Sequence, residues 1–275
     1  MASLSVDPSG KGYLGRLLCF IFRHSFYRVT GSTSGVVLLR SLLPDESKEP
    51  ISDALSNSSI YSTEDLNLTT RITAEVLSYE VTNFLLNCYF SNYHTSYPFI
   101  HEASFRAAYS EILPRPPEPT WQILFYTVLA IGAWTSSNDD EGLDNFCYRK
   151  VVAYIQQQSI FEMGSLALVQ ALILLSNYVQ KRNMPNTGSN LLGLAARMAL
   201  SLGLHRELPE WDITLLEREM RRRVWWGLFI FDSGAQMTFG RPILLPDDVD
   251  VKPVRNISDE VIVKSIGLNS STKIQ

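Results

Sequence analysis

The sequence has few cysteines, no excess of basic residues and no long apolar run, and each absence excludes a class of protein. Its 275 residues include three cysteines, Cys19, Cys88 and Cys147, which lie too far apart for a disulfide framework or a zinc site built on paired cysteines. Lys and Arg total 24 against 28 Asp and Glu, a formal net charge of −4. Because phosphate contacts require a basic surface, this balance argues against nucleic-acid binding through overall charge.

The chain also lacks a secretory signal and a membrane span. Its N-terminus has no basic region followed by an apolar stretch. The apolar runs at residues 17–22, 123–134 and 224–231 are all shorter than the roughly 18 residues that a membrane-spanning helix needs. We therefore expect a protein that stays inside the cell and does not contact a membrane.

What is present is the composition of a folded protein, with 45% hydrophobic and 19% charged residues. The first 70 residues are irregular, and residues 44–70 are rich in Ser, Asn, Asp and Pro, which is typical of a solvated linker. We expect residues 71–254 to form the folded domain.

From residue 71 the spacing of apolar residues becomes helical. One predicted helix face carries Leu77, Val81, Phe84, Leu85 and Cys88. Further helices are predicted at residues 102–113, 121–134, 143–159, 165–181, 188–202 and 214–239. The helix at 121–134 is nearly all apolar and should be central. Only residues 250–254 and 261–263 show weak strand periodicity, so we predict an all-α fold of about seven antiparallel helices.

Residues typical of helix starts and helix ends support these boundaries. Thr120 is predicted as an N-cap, and Thr214 forms a capping box with Glu217. Gly203, followed by Leu204, suits the left-handed position after a helix, and Gly240 with Pro242 beyond it should end the last helix.

Two sequence motifs match patterns found in enzyme sites, but the residues around them do not predict the secondary structure that such sites need. Gly10 to Gly15 matches G-x-G-x-x-G, but no strand precedes it and no acid follows until Asp45, so a flexible glycine loop is the better interpretation. The acids Asp139, Asp140, Glu141 and Asp144, and the group Asp247, Asp248 and Asp250, suggest a magnesium site of a helical enzyme. Their positions in loops and at helix starts favour ordinary capping instead.

Neither the histidines nor the densest basic run indicates catalysis. His24, His94, His101 and His205 have no paired spacing for a metal or a nucleophile, and we interpret His94 and His101 as structural. Consecutive helical residues point about 100° apart, so Arg221, Arg222 and Arg223 cannot enter one groove of a nucleic acid together, which disfavours phosphate or DNA contact. Glu217 and Glu219 each precede an arginine by four residues. This predicts a solvated, salt-bridged helical turn.

Several phrases taken together resemble one family. They are Tyr97 to His101, Trp121 to Phe125 leading to Leu129–Trp134, Ala195 to Ala199 running into Leu202, Gly203, Leu204, His205 and Arg206, Glu219 with Arg221, Arg222, Arg223, Trp225 and Trp226, then Asp232, Gly240, Arg241 and Pro242, and Asp247 to Asp250. In this order the chain resembles the middle regulatory domain of fungal zinc-cluster transcription factors. The subgroup that it resembles most contains the yeast galactose-regulon activator.

The resemblance implies an all-helical, non-catalytic domain of a nuclear transcription regulator. Such a domain would transmit regulatory input, through protein co-regulators or a small-molecule effector, to DNA binding elsewhere in the protein. We expect Arg221 or Arg222 to pair with Asp232 or nearby carbonyls, and Trp225, Trp226, Phe229 and Phe231 to anchor the last helix in the core. Gly240, Arg241 and Pro242 would end that helix and orient the acidic loop, Asp247 to Asp250.

The chain departs from the family pattern at both ends. The family's DNA-binding module needs six closely spaced cysteines that hold two zinc ions, so zinc and DNA would be bound only through an upstream cluster missing from these residues. No cofactor is expected in the chain itself. Residues 255–275 form an atypical tail, and further helices are expected after it in relatives, so we interpret the domain as truncated at its C-terminus.

An aromatic and basic stretch interrupts a family-like phrase near the start. Gly12 to Gly15 and Ser32 to Gly35 are separated by residues 16–31, which contain no acid. We interpret 16–31 as an insertion, such as an intervening sequence read through in the gene. Two alternatives to the regulatory interpretation remain at this point: a magnesium-dependent helical enzyme, and a generic helical scaffold that binds partner proteins.

Overall fold

The computed structural model describes residues 77–136, 142–157, 160–209, 213–257 and 259. Seven α-helices occur in these ranges: α1 (Tyr79–Cys88), α2 (Glu102–Tyr109), α3 (Thr120–Thr135), α4 (Leu143–Gln157), α5 (Leu166–Lys181), α6 (Pro185–Ser201) and α7 (Leu215–Phe239). A π-helical turn, Tyr89–Tyr93, continues α1, and a short 3₁₀ turn, Ile160–Glu162, precedes α5.

The described residues contain no strand, which confirms the predicted all-α class. Residues 250–254, the weak strand candidate, form a loop there. The second candidate at 261–263, the glycine motif at 10–15, the linker at 1–70 and the stretch at 16–31 lie outside the described residues. None of the described helices is both long enough and apolar enough to cross a membrane.

Helix α3 lies at the centre of the fold, as its apolar composition predicts. Ile123, Val128 and Leu129 are fully buried, and α3 contacts α1, α4 and α5. At Gly132 the helix passes so close to α1 that a Cβ atom would lie 2.1 Å from the Leu85 carbonyl oxygen. Only a residue without a side chain permits this approach.

A second layer forms around α5, which packs against α3 and α6. Leu168, Leu172 and Val179 of α5 have no exposed surface. Helix α7 packs against both α5 and α6 and contributes Val224, Trp225 and Leu228 to the same core. Helix α7 is therefore fixed to the molecule along its inner face.

Four of the described helices begin at side chains that cap the backbone. Ser78, Ser165 and Thr214 accept hydrogen bonds from the amides of Val81, Leu168 and Glu217, at 3.3, 3.2 and 3.1 Å respectively, and His101 Nδ1 accepts from the Ser104 amide at 3.3 Å. The Thr214 cap was predicted. The predicted cap at Thr120 is wrong: Pro119 occupies the N-cap position, and Thr120 is the first helical residue and is buried.

Helix α2 ends four residues earlier than predicted, at Tyr109 rather than at residue 113. The Arg115 side chain folds back and donates hydrogen bonds to the carbonyls of Ala108 and Tyr109, at 3.0 and 2.9 Å. The helix ends in a Schellman turn: Glu111 has a φ of 60°, and the amides of Glu111 and Ile112 donate to the Ala108 and Ala107 carbonyls at 3.2 and 2.8 Å.

Helix α1 differs from its predicted face at one position. Leu85 is fully buried and Leu77 and Val81 pack against the core, whereas Phe84 is 45% exposed. The π-helical turn that follows buries Tyr89, Phe90 and Tyr93, so the aromatic contribution to the core comes from the end of the helix.

Candidate functional site

The turn between α6 and the segment leading to α7 is closed by its own backbone. Gly203 has a φ of 64°, its amide donates to the Leu200 carbonyl at 3.0 Å, and the Leu204 amide donates to Ala199 at 2.9 Å. This pair of bonds is the Schellman arrangement, and Leu204 is fully buried as its hydrophobic contact. The turn thereby holds the next residues, His205 to Glu207, against α7.

Arg221 connects this turn to α7. Its Nη2 donates hydrogen bonds to the carbonyls of Leu202 and Gly203, each at 3.0 Å. These carbonyls lie at the C-terminal end of α6, where oxygens lack helical partners and a positive charge is favourable. Burial lowers the pKa of the Arg221 guanidinium, and the charges of Glu217 and Glu207 oppose that effect. The expected contact between Arg221 and nearby carbonyls is present.

Arg222 binds a carboxylate with two nitrogens. Nε and Nη2 of Arg222 donate to Oε2 and Oε1 of Glu207, and only 2% of the Arg222 side chain is exposed. The Lys252 amide donates to the same Glu207 Oε2 at 3.0 Å. Glu207 therefore joins α7 to the segment that follows the acidic loop.

Arg223 makes a second link to that segment. Its Nη1 lies 2.6 Å from Asp259 Oδ1, and its Nη2 donates to the Ile257 carbonyl at 3.3 Å. Arg223 Nε lies 3.5 Å from Glu219 Oε1, the predicted pair four residues apart. Glu219 is fully buried and its Oε1 accepts from the Arg255 amide at 3.1 Å.

These residues form one group, which we call the buried charge cluster: Glu207, Arg218, Glu219, Arg222, Arg223 and Asp259. Three acids and three arginines balance in formal charge. The sequence interpretation of a solvated arginine turn is wrong, since Arg222 and Arg223 are 2% and 6% exposed. The described residues of segment 251–259 supply partners to these charges through the Lys252 and Arg255 amides, the Ile257 carbonyl and Asp259.

The two tryptophans of α7 have different environments. Trp225 is 1% exposed, and its ring lies 6.0 Å from that of His205. Trp226 is half-buried, and its Nε1 donates to the Lys252 carbonyl at 2.9 Å. Phe231 is buried, whereas Phe229 is 40% exposed. The expected core anchor is therefore Trp225 with Phe231, and the expectation is wrong for Phe229.

Asp232 orients the loop after α7 rather than pairing with an arginine. Its Oδ2 accepts hydrogen bonds from the amides of Leu244 and Leu245, at 2.8 and 3.1 Å, and the side chain is buried. The expected Asp232 pair with Arg221 or Arg222 does not form because both arginines are engaged toward the other end of α7.

The phrase Gly240, Arg241 and Pro242 follows directly. Gly240 caps α7 in the left-handed conformation with φ of 63°. Arg241 lies over the Phe239 ring and donates to Asn186 Oδ1 at 3.0 Å, so the end of α7 contacts the start of α6. Burial lowers the pKa of Arg241. Pro242 is exposed.

The pKa values of Glu207, His94 and His101 are set by opposing effects. Burial raises the pKa of the Glu207 carboxyl, but hydrogen bonds from Arg222 and the Lys252 amide, together with nearby positive charge, outweigh it, so the pKa lies below 4.5. Burial lowers the pKa of His94 and of His101, and the charge of Asp259 opposes this in both. Both imidazoles are therefore neutral at pH 7.

Three of the acids considered for magnesium, Asp144, Asp248 and Asp250, have other partners, and Asp247 is exposed. Asp144 accepts from the Tyr178 hydroxyl at 3.1 Å and lies 3.4 Å from Arg182. Asp248 pairs with the exposed Arg206 at 3.0 Å, and Asp250 accepts from the Glu207 amide at 3.0 Å. Asp139, Asp140 and Glu141 lie outside the described residues. Within the described ranges no group of three His, Cys, Asp or Glu residues is arranged to hold a metal ion.

Sequence reasoning missed Glu207, Arg218 and Asp259. Glu207 follows the turn residues His205 and Arg206 directly, but one acid in a short loop gives no periodic signal. Asp259 lies in the segment interpreted as an atypical tail. The long-range pairs, 15 residues for Glu207 with Arg222 and 36 for Arg223 with Asp259, depend on the tertiary fold.

Comparison with known proteins assigns this arrangement to a family. The model of the fungal specific transcription factor domain matches residues 86–253. The chain is 37% identical over 168 residues to the lactose regulatory protein LAC9 of Kluyveromyces lactis, covering 61% of this chain and 19% of that protein. It is 28% identical over 175 residues to the acetamidase regulatory protein of Emericella nidulans, covering 62% and 21%.

A third relative is named as a transcription factor. The transcription factor FBD3 of Gibberella moniliformis is 29% identical over 180 residues, with 62% of this chain and 24% of that protein covered. The chain thus spans about a fifth to a quarter of the length of these relatives. No solved structure gives a significant match. The family match extends over more than half of the chain, and the chain belongs to the fungal specific transcription factor domain family.

Proposed function

We propose that this chain is the part of a fungal transcription regulator that receives regulatory input and passes it to DNA binding elsewhere in the protein. The observation that carries the proposal is the family match at residues 86–253, supported by relatives that are named as transcription regulators. DNA contact would be made through a zinc cluster, which the three scattered cysteines of these residues do not form. The protein would act in the nucleus, with protein co-regulators or a small-molecule effector as its input.

The contacts of the buried charge cluster would transmit the regulatory input from one part of the domain to another. It joins the turn after α6, the helix α7 and the segment 251–259 through buried arginines and through Glu207 and Asp259, whose side chains are 16% and 27% exposed. Buried ion pairs are costly to separate one partner at a time, so these three parts move together or not at all. A change on one side of α7 is therefore transmitted to the segment that follows.

A reporter assay tests this proposal. The chain is fused between a heterologous DNA-binding domain and an activation domain, and reporter output is compared with that of the same fusion lacking the chain. We expect the chain to change output severalfold and Arg223→Ala to alter that change, because it frees the end of segment 251–259. Arg197→Ala, on an exposed position of α6, is the matched control.

Two results would contradict the proposal when immunoblots show equal protein levels. The first is reporter output that does not depend on the presence of the chain. The second is an identical reporter output for Arg223→Ala and Arg197→Ala, which would show that the charge cluster does not transmit the input. Fluorescence microscopy of the tagged chain in a fungal cell tests the nuclear location separately.

A further inference from the structure

A cavity of about 270 Å³ lies between α2, α3, the start of α5 and the first turns of α7. Most of its lining is apolar and includes Phe105, Leu113, Trp121, Leu216 and Met220. Phe105, Trp121 and Met220 are buried, whereas Leu113 is 45% exposed, so apolar surface reaches the rim of the cavity. Apolar surface of this kind is typical of a place where another segment or molecule packs.

Segment 251–259 ends at this cavity. Asp259 is the last described residue, and its Oδ1 lies 2.6 Å from Nη1 of Arg223. Met220, which lines the cavity from α7, precedes Arg223 by three residues. Because residues three apart are neighbours on one face of a helix, the pair with Arg223 holds Asp259 next to the α7 wall of the cavity.

His101 gives the same position for Asp259 from a second wall. His101 is buried, is the N-cap residue of α2 and lines the cavity. Burial lowers the pKa of His101, and the charge and the backbone of Asp259 oppose that effect, so Asp259 lies beside this ring. The cavity is thus apolar inside and has charged groups of the cluster at one edge, where the chain passes between α2 and α7.

The residues that follow Asp259 match the cavity in composition and in reach. Residues 260–268 include the apolar side chains Val261, Ile262, Val263, Ile266 and Leu268. An apolar cavity of about 150 Å³ accommodates benzene, so one of about 270 Å³ accommodates two branched aliphatic side chains. Three residues of extended chain span about 10 Å, which brings the third residue after Asp259 within reach of the cavity.

We propose that the cavity is the docking site of this chain's own residues 260–268, which insert Ile262 and a neighbouring valine between α2 and α7. This contact removes the inserted side chains and the cavity lining from water together. The pair of Asp259 with Arg223 fixes the start of the segment, and the apolar side chains supply the rest of the contact. The family match ends at residue 253, so the docking segment lies outside the matched domain.

The docked segment connects the cavity to the buried charge cluster. Leu216 and Met220 line the cavity on α7, and Glu219 between them belongs to the cluster. Residues 260–268 therefore pack on the turns of α7 whose charges hold segment 251–259. A role of this contact in regulation rests on the proposed function, whereas the contact itself does not.

Photo-crosslinking of the 275-residue chain tests the contact. The photoreactive amino acid p-benzoylphenylalanine is placed at position 262, and peptide mass spectrometry identifies the residues that it reaches on irradiation. We expect crosslinks within the same chain to residues that line the cavity, above all Leu113, Leu216 and Met220. The same amino acid at Thr272, outside the docking segment, is the matched control and should give severalfold less product there.

Two further arrangements make the result specific. Unlabelled chain is mixed with chain labelled with heavy nitrogen, so that a crosslink between two copies joins peptides with different labels. Ile262→Asp opposes docking because an ionised carboxylate is costly in an apolar cavity, and Thr272→Asp adds the same charge outside the segment. We expect severalfold faster hydrogen exchange at residues 215–220 in Ile262→Asp and no change in Thr272→Asp. Circular dichroism confirms the helical content of both variants.

The proposal is overturned if the crosslinks from position 262 lie outside the cavity, if they join two copies of the chain, or if Ile262→Asp and Thr272→Asp exchange equally. A small molecule that co-purifies with the chain, seen as added mass in native mass spectrometry while position 262 gives no crosslink at the cavity, also overturns it. Crosslinks at the cavity together with reporter output that does not depend on the chain reject the proposed function and leave the contact established.

Discussion

At the scale of single residues, Arg222 is the member of the charge cluster whose loss should be most damaging. It is 2% exposed and is paired with Glu207 and with the fully buried Glu219. Arg222→Ala leaves two carboxylates without this partner, and we expect a loss of about 3–5 kcal/mol in the free energy of unfolding. Urea denaturation followed by circular dichroism measures it.

Arg206→Ala is the matched control for that prediction. Arg206 also pairs with an acid, Asp248, but the two side chains are 45% and 88% exposed. An exposed pair contributes little, so the change should stay within about 0.5 kcal/mol. Equal effects of the two substitutions would show that burial of the cluster does not determine its energetic importance.

Acid should weaken the fold partly through Glu207. Its pKa is lower in the folded protein than its ordinary 4.5, so its stabilising contribution is complete above about pH 4.5 and is lost as the pH falls through the folded value. We expect Glu207→Gln to be less stable than the native chain at pH 7, with the difference shrinking toward pH 3. Urea midpoints between pH 7 and pH 3 measure this, and a difference that does not depend on pH would contradict it.

At the scale of elements, several helix boundaries could be read from local residues because the signals are local. Thr214 caps α7, and Gly203 and Gly240 adopt the left-handed conformation that their positions predict. Two boundaries were predicted wrongly because the periodicity of apolar residues does not contain their signals. Helix α2 ends early because Glu111, although not a glycine, adopts the left-handed conformation, and Thr120 is the first residue of α3 with a buried side chain.

The turn after α6 allows the effect of backbone strain to be measured without steric crowding of an added Cβ atom. At Gly203 φ is 64°, and the nearest atom to an added Cβ, Arg221 Nη2, would be 4.0 Å away. Gly203→Ala should therefore cost about 1–2 kcal/mol through backbone strain alone. Thermal and urea unfolding measure the change.

Gly234→Ala provides the opposite expectation on α7. An added Cβ there meets nothing within 4 Å, and the residue lies in a helix. Alanine should stabilise the protein by about 0.5–1 kcal/mol because it lowers the backbone entropy of the unfolded chain. If both glycine substitutions shift stability in the same direction, the left-handed conformation is not the determining feature at Gly203.

At the scale of the whole molecule, segment 251–259 should behave as part of the domain. It supplies the amides of Lys252 and Arg255 to the buried carboxylates and contributes Asp259 to Arg223. A chain that ends at Val249 loses these partners, and we expect its Tm to fall by about 10 °C. A chain that ends at Asp259 keeps them and should lose far less.

Differential scanning calorimetry of the two shortened chains measures this. Equal melting of the two would show that the contacts of residues 250–259 add nothing to the fold. The result also tests the sequence-based domain boundary at residue 254, which divides these contacts between the domain and the tail.

The sequence by itself determined the helical class, most helix positions and the family, because apolar periodicity and caps are local and the family motifs are contiguous. Only the tertiary structure decided which charges are buried. Arg222 and Glu207 lie in separate parts of the chain, and their pairing depends on how α7 packs beside the turn after α6. Burial and pairing are properties of distance in space, which local sequence patterns do not contain.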